Sequence, residues 1–209
     1  MHIYSKYNTY MITLAIQAGG KSSRMGQDKA LMLFQGKPLI QTVIERLAPI
    51  ADEIIVTTNT PENYDFLGVP LYPDIRPMRG ALGGLYTALK FAAHAQVAVV
   101  ACDMPFASKQ FFLTASRLLS TYDADVIIPQ AEHGFEPLHA LYRREACLRP
   151  VEKALDANKW RVISWFDEVR VHALTKKESA VFNPDGLTFW NLNTPEDFNR
   201  AETLQIEGR

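Results

Sequence analysis

The stretch Ile12-Thr13-Leu14-Ala15-Ile16-Gln17-Ala18-Gly19-Gly20-Lys21-Ser22-Ser23-Arg24-Met25-Gly26-Gln27-Asp28-Lys29 decides the reading of this chain. Its first part, Ile12 to Gln17, is a short apolar run of the kind that forms a strand buried on both faces. The run stops at Gly19-Gly20, where missing Cβ atoms let the backbone turn sharply and present N–H groups to an anion. Lys21, Arg24 and Lys29 add positive charge around that turn. The combination suits a polyphosphate, although such a loop standing alone also suits a solvated surface turn. Two common phosphate-loop patterns fail. G-x-x-x-x-G-K-[ST] would need glycine where Ala15 lies inside the strand, and G-x-G-x-x-G fails because Gly19 and Gly20 adjoin.

Downstream, Pro38 sits where a first helical residue belongs, and Leu39, Ile40, Val43, Ile44 and Leu47 recur at helical spacing. Glu53 to Thr58 (EIIVTT) is β-branched and apolar, a second buried strand. Ala81 to His94 sets Leu82, Leu85, Ala88, Leu89 and Ala92 on one helical face, and Gln96 to Ala101 (QVAVVA) is a further buried strand. Ser108 caps a helix carrying Phe111, Phe112, Ala115, Leu118 and Leu119, followed by a strand from Asp125 to Pro129. This alternation predicts an α/β fold, a doubly wound, mostly parallel sheet flanked by helices, because parallel neighbours need crossover helices. Sheets of this type bind ligands beyond the carboxyl ends of their strands.

The last third is less regular. Glu136 to Arg143 reads as a strand, Glu145 to Asn158 as a helix, Glu168 to Leu174 as a strand and Lys176 to Leu187 as an excursion. Phe189-Trp190-Asn191-Leu192-Asn193 then leads into a helix capped by Thr194 with Pro195 in its first position. With no repeat, low-complexity tract or long linker, residues 1–205 read as a single domain. Its nucleotide-binding part spans about 12–105 and its acceptor-binding part about 106–200. Ile206-Glu207-Gly208-Arg209 matches a protease recognition sequence used in expression vectors and is set aside as a remnant.

Composition narrows the function classes. Over 209 residues, 22 Lys and Arg face 23 Asp and Glu, a net charge of −1. That balance argues against a partner such as nucleic acid or an anionic membrane. Locally, though, Gly19 to Lys37 holds Lys21, Arg24, Lys29 and Lys37 against Asp28 alone, which fits a small phosphorylated ligand. Cys102 and Cys147 lie far apart without CxxC spacing, so neither a disulfide scaffold nor a zinc cage is indicated. The absence of a long apolar run, and of an apolar core in Met1 to Tyr10, leads to the expectation of a soluble cytoplasmic protein.

Gln17 to Leu31 resembles the signature L-A-G-G-x-S-x-R-M-G-x-D-K-A-L of the molybdenum cofactor guanylyltransferases. The resemblance continues in order through Gly36-Lys37-Pro38-Leu39, Asn59, Asp74 and Arg79-Gly80-Ala81-Leu82-Gly83-Gly84. It then takes in Cys102-Asp103-Met104-Pro105-Phe106, Gly134 to Tyr142 and Asn191-Leu192-Asn193-Thr194-Pro195-Glu196-Asp197. It implies a Rossmann-like nucleotidyltransferase fold and transfer of GMP from GTP to the phosphate of a molybdopterin-type cofactor, with release of pyrophosphate. Carrier or acceptor enzymes of the molybdenum cofactor are the macromolecular partners such an activity implies.

Within that resemblance, Gln17, Ala18, Gly19, Gly20, Lys29, Asn59, Asp74 and Asp103 are the nucleotide contacts. Lys29 and Arg24 would balance the triphosphate and the departing pyrophosphate. Asp103, leaving the carboxyl end of a buried strand, would hold Mg²⁺, which needs only one or two protein carboxylates beside phosphate oxygens and water. Glu136, Pro137, Asn191 and Asn193 are the acceptor contacts. Asn191 and Asn193 flank Leu192 at strand spacing, so both side chains are expected to face one way. His139 reads as a packed histidine and Cys102 as a small hydrophobe. The chain departs from the family pattern at Gln17, where leucine is usual, and at Ala81, where proline is usual; both changes bear on base preference. A cytidylyltransferase, or an enzyme with another phosphorylated acceptor, is the nearest rival reading, and a non-catalytic nucleotide-binding regulator is a rival of another class.

Overall fold

The structure is a computed structural model that describes residues 11–19 and 28–204. In chain order it contains β1 (Ile12–Gln17), β2 (Leu33–Phe34), β3 (Lys37–Pro38), α1 (Leu39–Leu47), β4 (Glu53–Thr57), β5 (Leu71–Tyr72), α2 (Gly80–Phe91) and β6 (Gln96–Ala101). There follow α3 (Lys109–Thr121), β7 (Val126–Ala131), β8 (Gly134–Phe135), β9 (His139–Arg143), α4 (Arg144–Asp156), β10 (Val171–Leu174), α5 (Lys176–Ala180) and α6 (Pro195–Glu202).

The main sheet runs in the order β10-β7-β9-β6-β1-β4-β5, with β8 attached to β7. Pairs β1–β4, β1–β6, β4–β5 and β7–β10 are parallel, so the expected α/β architecture holds. β9 breaks the pattern by lying antiparallel between β6 and β7. It follows β7 through a tight hairpin containing β8, a connection too short for the crossover a parallel strand would need.

Side-chain alternation along β1 buries its residues on both faces of the sheet, the polar Thr13 and Gln17 included. Leu14 and Ile16 enter the core under α1 and α3, with Val43, Phe111 and Phe112. Ala15 enters the opposite core under α2 and α4, with Leu85, Leu89 and Val151. A smaller cluster joins Phe34, Leu39, Phe106, Leu192 and Phe198, tying the last helix to β2 and α1. Truncating any one of the fully buried leucines to alanine is worth about 2–5 kcal/mol.

Helix starts follow local chemistry. Ser108 accepts from Phe111 N at 3.2 Å, as expected for a cap. Thr194 and Asp197 form a reciprocal capping box with Pro195 in the first turn. Thr175 and Glu178 form a second such box, which turns the start of the expected 176–187 excursion into α5. Pro38 corrects its expected position: its ψ of 137° is extended, so it precedes α1 rather than opening it.

Candidate active site at the carboxyl ends of the central strands

Register places the first set of residues. Gln17 is opposite Thr57 of β4 and Ala101 of β6. Two residues beyond each of these positions come Gly19, Asn59 and Asp103, which therefore leave the sheet side by side at its carboxyl rim. The turns are pinned by Ala18 N donating to Thr57 O at 2.8 Å and Cys102 N donating to Gln17 O at 3.1 Å.

At the centre of the rim, Lys29 Nζ lies 2.5 Å from Asp103 Oδ2 and 2.8 Å from Asn193 Oδ1. These three residues come from widely separated parts of the chain, and the Lys29 and Asp103 side chains are only 16% and 13% exposed. The inner oxygen, Asp103 Oδ1, is buried with no hydrogen-bond partner among the described residues. Lys29 is held there by its own backbone: Asp28 caps the turn Lys29–Leu31 by accepting from Ala30 N at 3.1 Å. The second Asp28 oxygen accepts from the hydroxyl of fully buried Tyr64 at 2.5 Å. Burial, reinforced by the Asp28 carboxylate, pushes that phenol well above its ordinary range. Sequence patterning gave no signal for Tyr64 as the anchor of this loop.

A second polar pair stands on the β4 side. Asn59 Nδ2 donates to Asp74 Oδ2 at 3.1 Å, and burial raises the Asp74 carboxyl while Asn59 acts in the lowering direction. The segment carrying Asp74 is tied down by Ile75 N donating to Thr87 Oγ1 at 3.0 Å. It is also tied to the end of α4: Arg76 pairs with Asp156 at 3.1 Å, and Arg79 donates to Asn158 at 2.6 Å while lying over the Trp160 ring.

Gln17 does not stand free beside this pair. Side-chain alternation puts it on the Ala15 face, toward α2, and it is 6% exposed. With its amide oriented to satisfy both ends, nitrogen donates to Ala81 O at 3.3 Å and oxygen accepts from Leu85 N at 2.9 Å. Gly84 makes room for it, since a Cβ there would stand 2.8 Å from the nearer terminal atom of the Gln17 amide. The departures at Gln17 and Ala81 are thus in contact with each other.

The acceptor-side residues reach the rim on turns. Val100 of β6 is opposite His139, so β9 starts at the carboxyl end of β6. Glu136, Pro137 and Leu138 accordingly form a turn at the rim and not the opening of the expected 136–143 strand; Leu138 O accepts from Ala101 N at 3.0 Å. Burial pushes the Glu136 carboxyl up to about 7. Asn191, Leu192 and Asn193 are likewise outside any strand, and the two asparagine side chains meet different surroundings. Asn193 bonds Lys29, whereas Asn191 Oδ1 is buried with no hydrogen-bond partner among the described residues. Leu192 N donates to Asp103 O at 3.0 Å, which brings the segment against the aspartate.

His139 is fully buried against Phe111, Phe112 and Phe189, and its Nε2 accepts from Ser108 N at 3.0 Å. Burial drives its pKa down to about 3, which removes it from acid–base work near neutrality. Burial also pushes the Cys102 thiol far above its usual range, so no thiolate is available there. Gly20, Lys21, Arg24 and residues 206–209 lie outside the described residues. A lateral cavity of about 710 Å³, lined by Ile50, Phe106, Leu113, Phe182 and Leu187 among others, includes none of the rim residues. Among the described residues no group of three or more His, Cys, Asp or Glu could hold a metal ion, and no helix is long and apolar enough to cross a membrane.

A mostly parallel sheet whose first loop returns a lysine to an aspartate at the carboxyl rim defines a nucleotidyltransferase. The sequence matches the family described as MobA-like NTP transferase domain over residues 14–171, and the chain belongs to that family. It is 31% identical over 199 residues to the molybdenum cofactor guanylyltransferase of Desulfosudis oleivorans, covering 95% of this chain and 98% of that protein. A probable molybdenum cofactor guanylyltransferase of Carboxydothermus hydrogenoformans is 36% identical over 195 residues, covering 90% of this chain and 94% of the relative. The fold is similar to that of molybdopterin-guanine dinucleotide biosynthesis protein A from Archaeoglobus fulgidus, with a TM-score of 0.78 at 24% identity over 91% of this chain and 96% of that one. It is also similar to 4-diphosphocytidyl-2C-methyl-D-erythritol synthase from Anaerococcus prevotii, with a TM-score of 0.67 at 13% identity over 93% and 95% of the two chains.

Proposed function

We propose that this chain transfers GMP from GTP to the terminal phosphate of a molybdopterin-type cofactor. A phosphate oxygen of the acceptor attacks the α-phosphorus of GTP, the bond to the β-phosphate breaks, and pyrophosphate leaves with that electron pair. No general base is required, because a phosphate nucleophile is already ionised, and none is supplied by the neutral, enclosed His139. The work left to the protein is orientation and charge neutralisation.

Lys29 provides positive charge for the triphosphate and the leaving pyrophosphate, with Arg24 and the Gly19-Gly20 turn contributing from the same loop. Asn59 and Asp74 act on the base and ribose side, and Gln17 and Ala18 shape its floor. Glu136, Pro137, Asn191 and Asn193 receive the acceptor. Asp103 fits Mg²⁺: one carboxylate, with a buried oxygen that lacks a hydrogen-bond partner among the described residues, beside the place where phosphate oxygens would supply the remaining ligands. When bound, the ion would offset charge on the reacting phosphates. The reaction belongs in the cytoplasm, where GTP and Mg²⁺ are available.

The convergence of Lys29, Asp103 and Asn193 is the observation that carries this reading, because it joins the phosphate side and the acceptor side at one point. A reconstituted transfer assay with pterin acceptor, Mg²⁺ and each of GTP, CTP and ATP tests it by product mass. A guanine dinucleotide product is expected; preferential formation of the cytosine product would replace guanylyl transfer by cytidylyl transfer.

A further inference from the structure

We infer that Lys29 is the resident counter-cation of Asp103 in the nucleotide-free protein, and that Asp103 takes a divalent cation only after the Lys29 ammonium moves to the triphosphate. The inference rests on the nucleotidyltransferase reading and adds an order of events to it.

The geometry states the conflict directly. Lys29 Nζ is 2.5 Å from Asp103 Oδ2. A divalent cation on the same carboxylate would face the ammonium at little more than contact distance, in a place both side chains share with little water, so repulsion between them is weakly screened. The two cations therefore compete for Asp103, each weakening the other's hold on it. The ammonium is held by two acceptors, Asp103 Oδ2 and Asn193 Oδ1, and it occupies only one oxygen of the carboxylate. Asp103 Oδ1 stays buried and without a hydrogen-bond partner among the described residues, so within them the carboxylate is neutralised but not satisfied.

Anchoring decides which part moves. The Lys29 backbone is fixed by the Asp28 cap and, through Asp28, by buried Tyr64. Asp103 is fixed by its own carbonyl, which accepts from Leu192 N. The lysine stem, with its rotatable bonds, is the mobile element between two fixed points. A triphosphate arriving with its metal replaces both partners at once: its oxygens take the ammonium, and its cation takes the carboxylate. Free metal offers the ammonium nothing in exchange. Release of Lys29 also frees Asn193 Oδ1, so occupation of the nucleotide side and readiness of the acceptor side are coupled through one side chain.

The test measures Mn²⁺ binding to the full chain without nucleotide, by loss of the free-ion electron paramagnetic resonance signal. Wild type is expected to bind weakly. Lys29→Met and Lys29→Gln are expected to bind Mn²⁺ about tenfold more tightly or better, because the competing charge is gone. Adding Asp103→Asn to Lys29→Met is expected to abolish the gain. Equal Mn²⁺ affinity in wild type and both Lys29 variants overturns the inference, as does a gain that survives Asp103→Asn. Melting curves establish folding of each variant. Should neither Lys29 variant fold, Asn193→Ala, which removes one of the two acceptors, is expected to raise Mn²⁺ affinity a few fold, and no rise there overturns the inference equally. Binding of a fluorescent GTP analogue to wild type with Mn²⁺ is measured in parallel. Absence of that binding removes the nucleotide reading, whereas the metal comparison judges Lys29 by itself.

Discussion

On the nucleotide side of the crevice, Gly19, Asn59 and Asp103 stand together because three parallel strands end in register. On the acceptor side, Glu136 stands in the turn between β8 and β9, and Asn191 and Asn193 stand on a segment that no ladder positions, where individual hydrogen bonds hold them in place. The first side is a by-product of the sheet: moving one of its residues means moving a strand. The second depends on particular side chains, above all Asp197, which accepts from Asn193 N, Thr194 N and the Thr194 hydroxyl through one oxygen and from Trp190 Nε1 through the other. One end of the site is therefore rigid by construction of the fold, and the other is rigid only while its capping contacts persist.

Four predictions probe that contrast. The largest effect is expected from Asp103→Asn on the register-built side. GMP transfer should fall by about 10³-fold or more in kcat/KM while the melting temperature stays nearly unchanged; turnover near wild type would take the carboxylate out of the mechanism. Gly84→Ala strains the same side from behind, by driving a Cβ into the Gln17 amide. A loss of about 1–3 kcal/mol in urea denaturation is expected, with most of it recovered when Gln17→Ala is added. Full additivity of the two changes would mean that the amide is not locked there.

Asp197→Ala tests the turn-built side. Loss of its cap should cost about 1–2 kcal/mol and raise KM for the pterin acceptor more than KM for GTP. An equal rise in both would erase the distinction between the halves. The smallest effect concerns Glu136, whose carboxyl burial raises from an ordinary 4.5 to about 7. The folded protein holds a proton that the unfolded chain releases, so this contribution is present below about pH 4.5 and is lost as pH rises through about 7. Partial exposure of the side chain reduces the effect to about 1 kcal/mol, so between pH 5 and 8 wild type should lose roughly 2–4 °C more than Glu136→Gln. Parallel melting curves across that range decide it.

The same contrast explains what the sequence could disclose. β1, β4, β6 and the helices over them were legible because burial on both faces demands unbroken apolar runs and helical stripes. Ser108, Thr194 and Pro195 were legible because caps are local. The direction and place of β9 were not, since an apolar run carries no mark of which neighbours it will pair with, and the excess length assigned to it at Glu136 followed from that. Strand periodicity places Asn191 and Asn193 on one face, but without a partner strand alternation has no hold, and the two side chains meet different surroundings. Asp103 and Lys29 were both singled out, while their contact, across 74 positions, is a product of tertiary structure alone. Tyr64 beneath Asp28 and Trp160 beneath Arg79 lie in segments whose composition marks no partner.

The packing of Gln17 against Gly84 also constrains how this chain can vary among its relatives. A long amide at position 17 can be accommodated only while position 84 has no Cβ, whereas glycine at 84 tolerates a shorter residue at 17. Substitution histories should accordingly be ordered: loss of the amide can precede loss of the glycine, but the reverse order passes through a crowded intermediate. The two positions form a one-way ratchet in sequence space, written by a single side chain lying across the first turns of a helix.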